Sequence, residues 1–129
     1  MSTLTTLRTD IAAALEAAGI HAIEHVAEVM QPPVAVVVPD DPYITTSGEN
    51  LPYGHVVVRM SVLLISDKAT NKAAASKIDS MIEQAYMALN DDWDITEVTT
   101  PGQVTVNGST FLGSVISITQ ETKLSGGTS

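Results

Sequence analysis

Val56, Val58, Met60, Val62 and Leu64 fall at every second position and predict a strand from His55 to Ser66 with one wholly apolar face. The opposite face reads His55, Val57, Arg59, Ser61, Leu63 and Ile65, polar in its first half and apolar in its second. At ~3.3 Å per residue such a strand reaches roughly 40 Å, longer than the usual globular strand. One end is therefore expected to project beyond the domain body or to be covered there by another chain.

Helical spacing governs two other stretches. Leu4, Leu7, Ile11 and Leu15 predict a helix from Thr3 to Ala18, capped by Ser2 or Thr3 and rich in alanine. Gly19 should stop it as a left-handed residue, with Ile20 as the apolar closure. Ala74, Ile78, Met81, Ile82, Ala85 and Leu89 form the apolar stripe of a second helix. Residues from Asp67 to Asn71 would cap it, Asn90-Asp91-Asp92 would end it, and Lys72, Lys77, Asp79, Glu83 and Gln84 would face outward. The stripe is expected to lie on the apolar face of the sheet.

The remaining segments are shorter. Ile20-His21-Ala22-Ile23 can open a short strand, while Ala22, Val26 and Val29 allow a helical turn; Gln31-Pro32-Pro33 breaks either. Val34 to Val38 is a β-branched run that reads as a buried strand, stopped by Pro39-Asp40-Asp41-Pro42. Residues 39–54 then read as a long loop, a kind of segment that often carries function. Its Tyr43, Ile44, Leu51 and Tyr53 either pack on the domain or anchor a partner. Trp93 to Val98 predicts a strand. Val104 to Val106 and Thr110 to Leu112 predict a hairpin about Asn107-Gly108, and a last strand runs from Val115 to about Thr122. The expected fold is one α+β domain over residues 1–122, with an antiparallel or mixed sheet packed against two helices in the order α-β-β-α-β-β-β. Residues 123–129 read as a flexible tail.

Composition narrows the classes of function. A chain of 129 residues with 44% hydrophobic content fits one domain with a sizeable core. It has no cysteine, hence no disulfide and no thiol chemistry, which fits a reducing cytoplasm. No run of about twenty apolar residues predicts a membrane span, and Met1-Ser2-Thr3 does not read as the start of a signal peptide. The formal net charge of −9, from 15 acidic and 6 basic residues, opposes electrostatic capture of nucleic acid. Aromatic content of 4% weakens base-stacking and sugar-binding readings.

Candidate chemistry is sparse. His21-Ala22-Ile23-Glu24-His25 matches the inverted zinc-peptidase pattern H-x-x-E-H, which needs both histidines on one helical face and a third ligand from elsewhere. Here it follows a helix stop in a short chain, so chance occurrence is the better account. His55 has no Gly-x-Ser-x-Gly elbow to serve. Asp40-Asp41 and Asp91-Asp92-Asp94 flank turns without the spacing of a calcium loop. No phosphate loop or dinucleotide fingerprint is present. The expectation is a protein without catalytic, metal or cofactor sites, acting by packing and assembly.

Taken together, several stretches resemble tail terminator proteins of long-tailed bacteriophages. They are the helix ending at Gly19, the Pro32-Pro33-Val34 and Tyr53-Gly54-His55-Val56 strand starts, the Asn71–Leu89 helix with Ala74, Ile78, Asp79, Ile82 and Ala85, and the Phe111-Leu112-Gly113-Ser114-Val115-Ile116-Ser117-Ile118 strand. The resemblance covers nearly the whole chain. It implies a non-enzymatic virion protein, made in the host cytoplasm, that forms a homohexameric ring at the head-proximal end of the tail. Such a ring caps the major tail tube protein, stops tube polymerisation and meets the head connector or stopper, while DNA passes through the lumen without specific binding. Six chains at −9 each would carry roughly −54, which keeps DNA from adhering if the acids face inward. Subunit or partner contacts are expected at Asp40, Asp41, Tyr43, Ile44, Leu51, Tyr53, His55, Arg59 and Ser61, with Arg59 facing a neighbour's carboxylate. Another head–tail joint or tail-completion protein is the nearest alternative. A small cytoplasmic ligand-binding domain, with a closed apolar pocket behind the sheet, is the next.

Overall fold

The computed structural model describes residues 3–24, 33–46, 55–68, 72–106 and 108–123. Helix α1 (Thr3–Ala17) buries Ile11, Ala12 and Leu15. It ends in a Schellman turn: Ile20 N–H donates to the Leu15 carbonyl at 3.0 Å and Gly19 N–H to that of Glu16 at 3.0 Å. Gly19 has φ 88°, and Ile20 is buried as the apolar closure. Helix α2 (Lys72–Leu89) buries Ile78, Met81, Ala85 and Leu89, with Ile82 half-buried. Lys77, Asp79, Glu83 and Gln84 are exposed, as the stripe requires. Residues Asp67 and Lys68, expected among its caps, instead end the preceding strand, and residues 69–71 lie outside the described ones.

Six strands form one mixed sheet among the described residues: β1 (Ala22–Ile23), β2 (Val34–Thr45), β3 (His55–Lys68), β4 (Asp94–Val98), β5 (Gly102–Val106) and β6 (Ser109–Lys123). The order is β1-β2-β3-β6-β4, and β5 also pairs with β6. Only β1–β2 is parallel. The architecture is therefore α+β with a mixed sheet and two helices, and β1 is a strand more than the expected order contained. Ala22 and Ile23 take the strand alternative, because the Ala35 amide bonds the His21 carbonyl at 2.8 Å and draws β1 against β2.

The expected stop at Pro39 is overturned. β2 runs on to Thr45, with a cis peptide at Asp41–Pro42. Pro39 pairs with Met60 and Ile44 with Val58, so β2 advances five residues while β3 retreats two, and the extra residues form a bulge. The turn formers thus distort the ladder without ending it. Proline is tolerated because, among the described residues, β1 pairs only Ala35 and Val36 and leaves this part of β2 at the sheet edge. Residues 47–54 of the expected loop lie outside the described ones.

β6 is a single strand of 15 residues where a hairpin arm and a separate last strand were expected, and it includes Lys123, assigned above to a tail. Val106 pairs with Ser109, and Gly108 takes φ 82° in the expected hairpin turn. β4 and β5 share one edge of β6, pairing residues 116–119 and 109–113 respectively.

The main core lies between the sheet and both helices. Ala35 and Val37 of β2, Val58, Met60, Val62 and Leu64 of β3, and Ile116 and Ile118 of β6 meet Ile11, Leu15, Ile78, Ala85 and Leu89. Full burial of such a side chain stabilises by roughly 1.5–3 kcal/mol. A smaller cluster on the reverse face joins Val34, Val36, Ile65 and Phe111 to Ile23, Val38 and Leu63, and it contains no helical residue. The apolar second half of the mixed β3 face thus lies on the side opposite the helices.

Candidate functional site

The polar half of that reverse face is built by strand alternation on β2, β3, β4 and β6. Val38, Ser61, Ser117 and Glu97 form one cross-strand row, and Arg59, Thr119 and Asp94 form the next. Val57 and Glu121 follow, then His55 and Lys123 at the end of the ladder. Thr96 Oγ1 donates to the Ser117 carbonyl at 3.2 Å, which ties β4 to β6 beside a register shift.

Two in-chain contacts between ionisable groups lie on this face. Arg59 Nη2 lies 3.4 Å from Asp40 Oδ2, and His55 Nδ1 lies 3.9 Å from Glu121 Oε2. The first pair gives Arg59 a carboxylate within the chain, beside the one expected from a neighbour, and the second sets Glu121 beside His55. The bulge carries Asp40 to Arg59, and Asp41 N–H donates to Asp40 Oδ1 at 2.9 Å, orienting that carboxylate. Each partner remains a quarter to a half exposed, so both pairs are partly hydrated and stay open to further contacts. His55 Nδ1 is itself buried and has no hydrogen-bond partner among the described residues.

The expected contact residues divide. Asp40, His55, Arg59 and Ser61 share the reverse face, and Asp41 is exposed in the bulge. Tyr43 packs against the helix-side core and accepts a hydrogen bond from Arg8 Nη2 at 3.3 Å. Ile44 pairs with the core residue Val58, so it sits on the helix side as well. Leu51 and Tyr53 lie outside the described residues. Thr119, Glu121 and Lys123 belong to the reverse face and were not foreseen; the period-two pattern continued past Ile118 marks them.

His55 and Ser61 stand six residues apart on one strand, about 20 Å, far beyond hydrogen-bond reach. The H-x-x-E-H pattern does not form a helical ligand pair, because residues 22–23 are strand. His21 lies 3.3 Å from Glu16, Glu24 accepts from Thr9 Oγ1 at 3.0 Å, and His25 is outside the described residues. Asp40 and Asp41, expected beside a turn, are part of β2. Among the described residues no group of three or more His, Asp and Glu side chains converges to hold a metal ion, and no helix is long and apolar enough to cross a membrane.

Compared with known proteins, the chain matches no protein-family profile and no curated sequence.

Proposed function

We propose that this protein is a non-enzymatic phage assembly subunit that forms a ring on the end of a tail tube, stops its polymerisation and offers a surface to the head connector. One observation carries the reading: β6 runs on past the end of β4, which leaves part of its outer edge open among the described residues. β6 has 15 residues and spans about 50 Å. Neither apolar cluster contains a β6 residue beyond Ile118. The β4 ladder ends at Thr119, so Gln120 to Lys123 present an outer edge with no strand partner among the described residues. An open edge with charged side chains avoids indiscriminate pairing while accepting a specific neighbour. A ring supplies such a neighbour to every copy. The acid excess suits a ring through which DNA must slide.

The test combines the purified protein with a major tail tube protein from the same genome and measures tube lengths by negative-stain electron microscopy, with native mass spectrometry of the protein alone. Tubes shortened in proportion to added protein, each with a terminal ring, support the proposal. Unchanged tube lengths with bare ends and a strictly monomeric protein would sink it.

A further inference from the structure

We propose that the outer face of α2 docks a cationic amphipathic segment of a partner protein, a surface that does not depend on the ring assignment. Asp79, Ile82, Glu83, Tyr86, Met87 and Asn90 fall at helical spacing on one stripe beside the buried one. Tyr86 is 39% and Met87 70% exposed, and they are the exposed large hydrophobic residues among those described. With Ile82 and Glu83 they line a shallow hollow. Methionine is unbranched and polarizable, so it moulds to a partner at small entropic cost.

Charge identifies the occupant. No lysine, arginine or histidine occurs from Ile78 to Thr122, while Asp79, Glu83, Asp91 and Asp92 border the apolar pair and are exposed. The C-terminal end of α2, beside Met87, adds the negative end of the helix dipole. Membrane surfaces and nucleic acid are anionic and are repelled. A second copy would set one acidic stripe against another. What fits is a basic segment with an apolar side chain between Tyr86 and Met87, covering about 16 Å of helix.

The probe is a fluorescent helical peptide with leucine on one face and lysine on the other, titrated into the full chain by anisotropy and by amide chemical-shift mapping. Its glutamate counterpart is the control. Glu83→Lys and the Tyr86→Ser/Met87→Gln double variant are each expected to weaken binding about tenfold, as loss of a central contact does. Asp10→Lys on α1 makes the same charge change away from the stripe and should alter affinity by less than about twofold. Equal weakening by Asp10→Lys would assign the binding to net charge and overturn the proposal. Shifts mapping elsewhere, unchanged affinity in the stripe variants, or self-association removed by Met87→Gln would overturn it as well. All these side chains are exposed, so circular dichroism should report an unchanged fold.

Discussion

The Arg59 guanidinium and the Asp40 carboxylate stand 3.4 Å apart across β2 and β3, joined by a bulge that the intervening turn residues create. Arg59→Glu places two carboxylates together and should destabilise the fold by about 1 kcal/mol, a partly exposed pair being worth little more. The swapped pair Asp40→Arg/Arg59→Asp should recover most of that loss, read as the urea midpoint. The swap also separates roles. Under the proposed function, a swapped pair that folds normally but fails to cap tubes that the unaltered chain caps would mean that the reverse face reads the sign of these charges in a partner. An unchanged midpoint in Arg59→Glu would show that the contact contributes nothing.

Gly113 admits no side chain. A Cβ there would meet Val104 Cγ2 at 2.7 Å and the Leu64 carbonyl oxygen at 2.9 Å. Gly113→Ala should cost about 1–3 kcal/mol, since the Leu64 contact is backbone and cannot rotate away. Adding Val104→Ala should restore only part of it. Thermal unfolding of the single and double variants checks both statements; full rescue would place the strain on Val104 alone.

Ser114 holds the turn after β4. Its Oγ donates to the Thr99 carbonyl at 2.6 Å, while Val115 N–H donates to Thr99 Oγ1 at 2.9 Å. Ser114 is 2% exposed, so Ser114→Ala leaves a carbonyl short of a donor and should cost about 1–3 kcal/mol. Faster hydrogen exchange at the Thr99 amide, which bonds the Val115 carbonyl at 2.9 Å, should accompany it.

Ser66 predicts the opposite sign. Its hydroxyl is buried without a hydrogen-bond partner among the described residues, so Ser66→Ala removes an uncompensated desolvation cost and should be neutral or stabilising by up to about 1 kcal/mol. A marked drop in the unfolding midpoint would reveal a partner for the hydroxyl.

Leu89 and Met87 stand two residues apart on α2 and should behave as opposites. Leu89 is fully buried, and Leu89→Ala should cost about 2–5 kcal/mol through lost burial and a residual cavity. Met87→Ala should stay within about 0.5 kcal/mol, as for other exposed positions. Chemical denaturation of the two variants separates a core role from a surface one.

Local pattern was sufficient for α1, α2 and the run of β3. Leu15 and Gly19, Ile78 and Leu89, Val58 and Leu64 each announce one buried face within a few residues, and burial of that face is what stabilises the element. The Gly19 stop was equally legible, because only the left-handed region closes the helix there. Of the reverse face, Arg59, Ser61 and His55 could be placed together from their spacing alone. Their in-chain partners could not, since Asp40 and Glu121 are remote along the chain and reach them only through pairing on both sides of β3.

Periodicity thus settled α1, α2 and the run of β3, and which face each buries, a consequence of short-range geometry. Pairing settled the rest. β3 offered β2 a ladder that outweighed Pro39 and Pro42. The Ala35 amide drew residues 22–23 into a parallel strand. β6 ran unbroken through Gly113 because both neighbours needed that close approach. These outcomes depend on hydrogen-bond partners that sequence spacing does not name, and they decided which charges stand together on the reverse face.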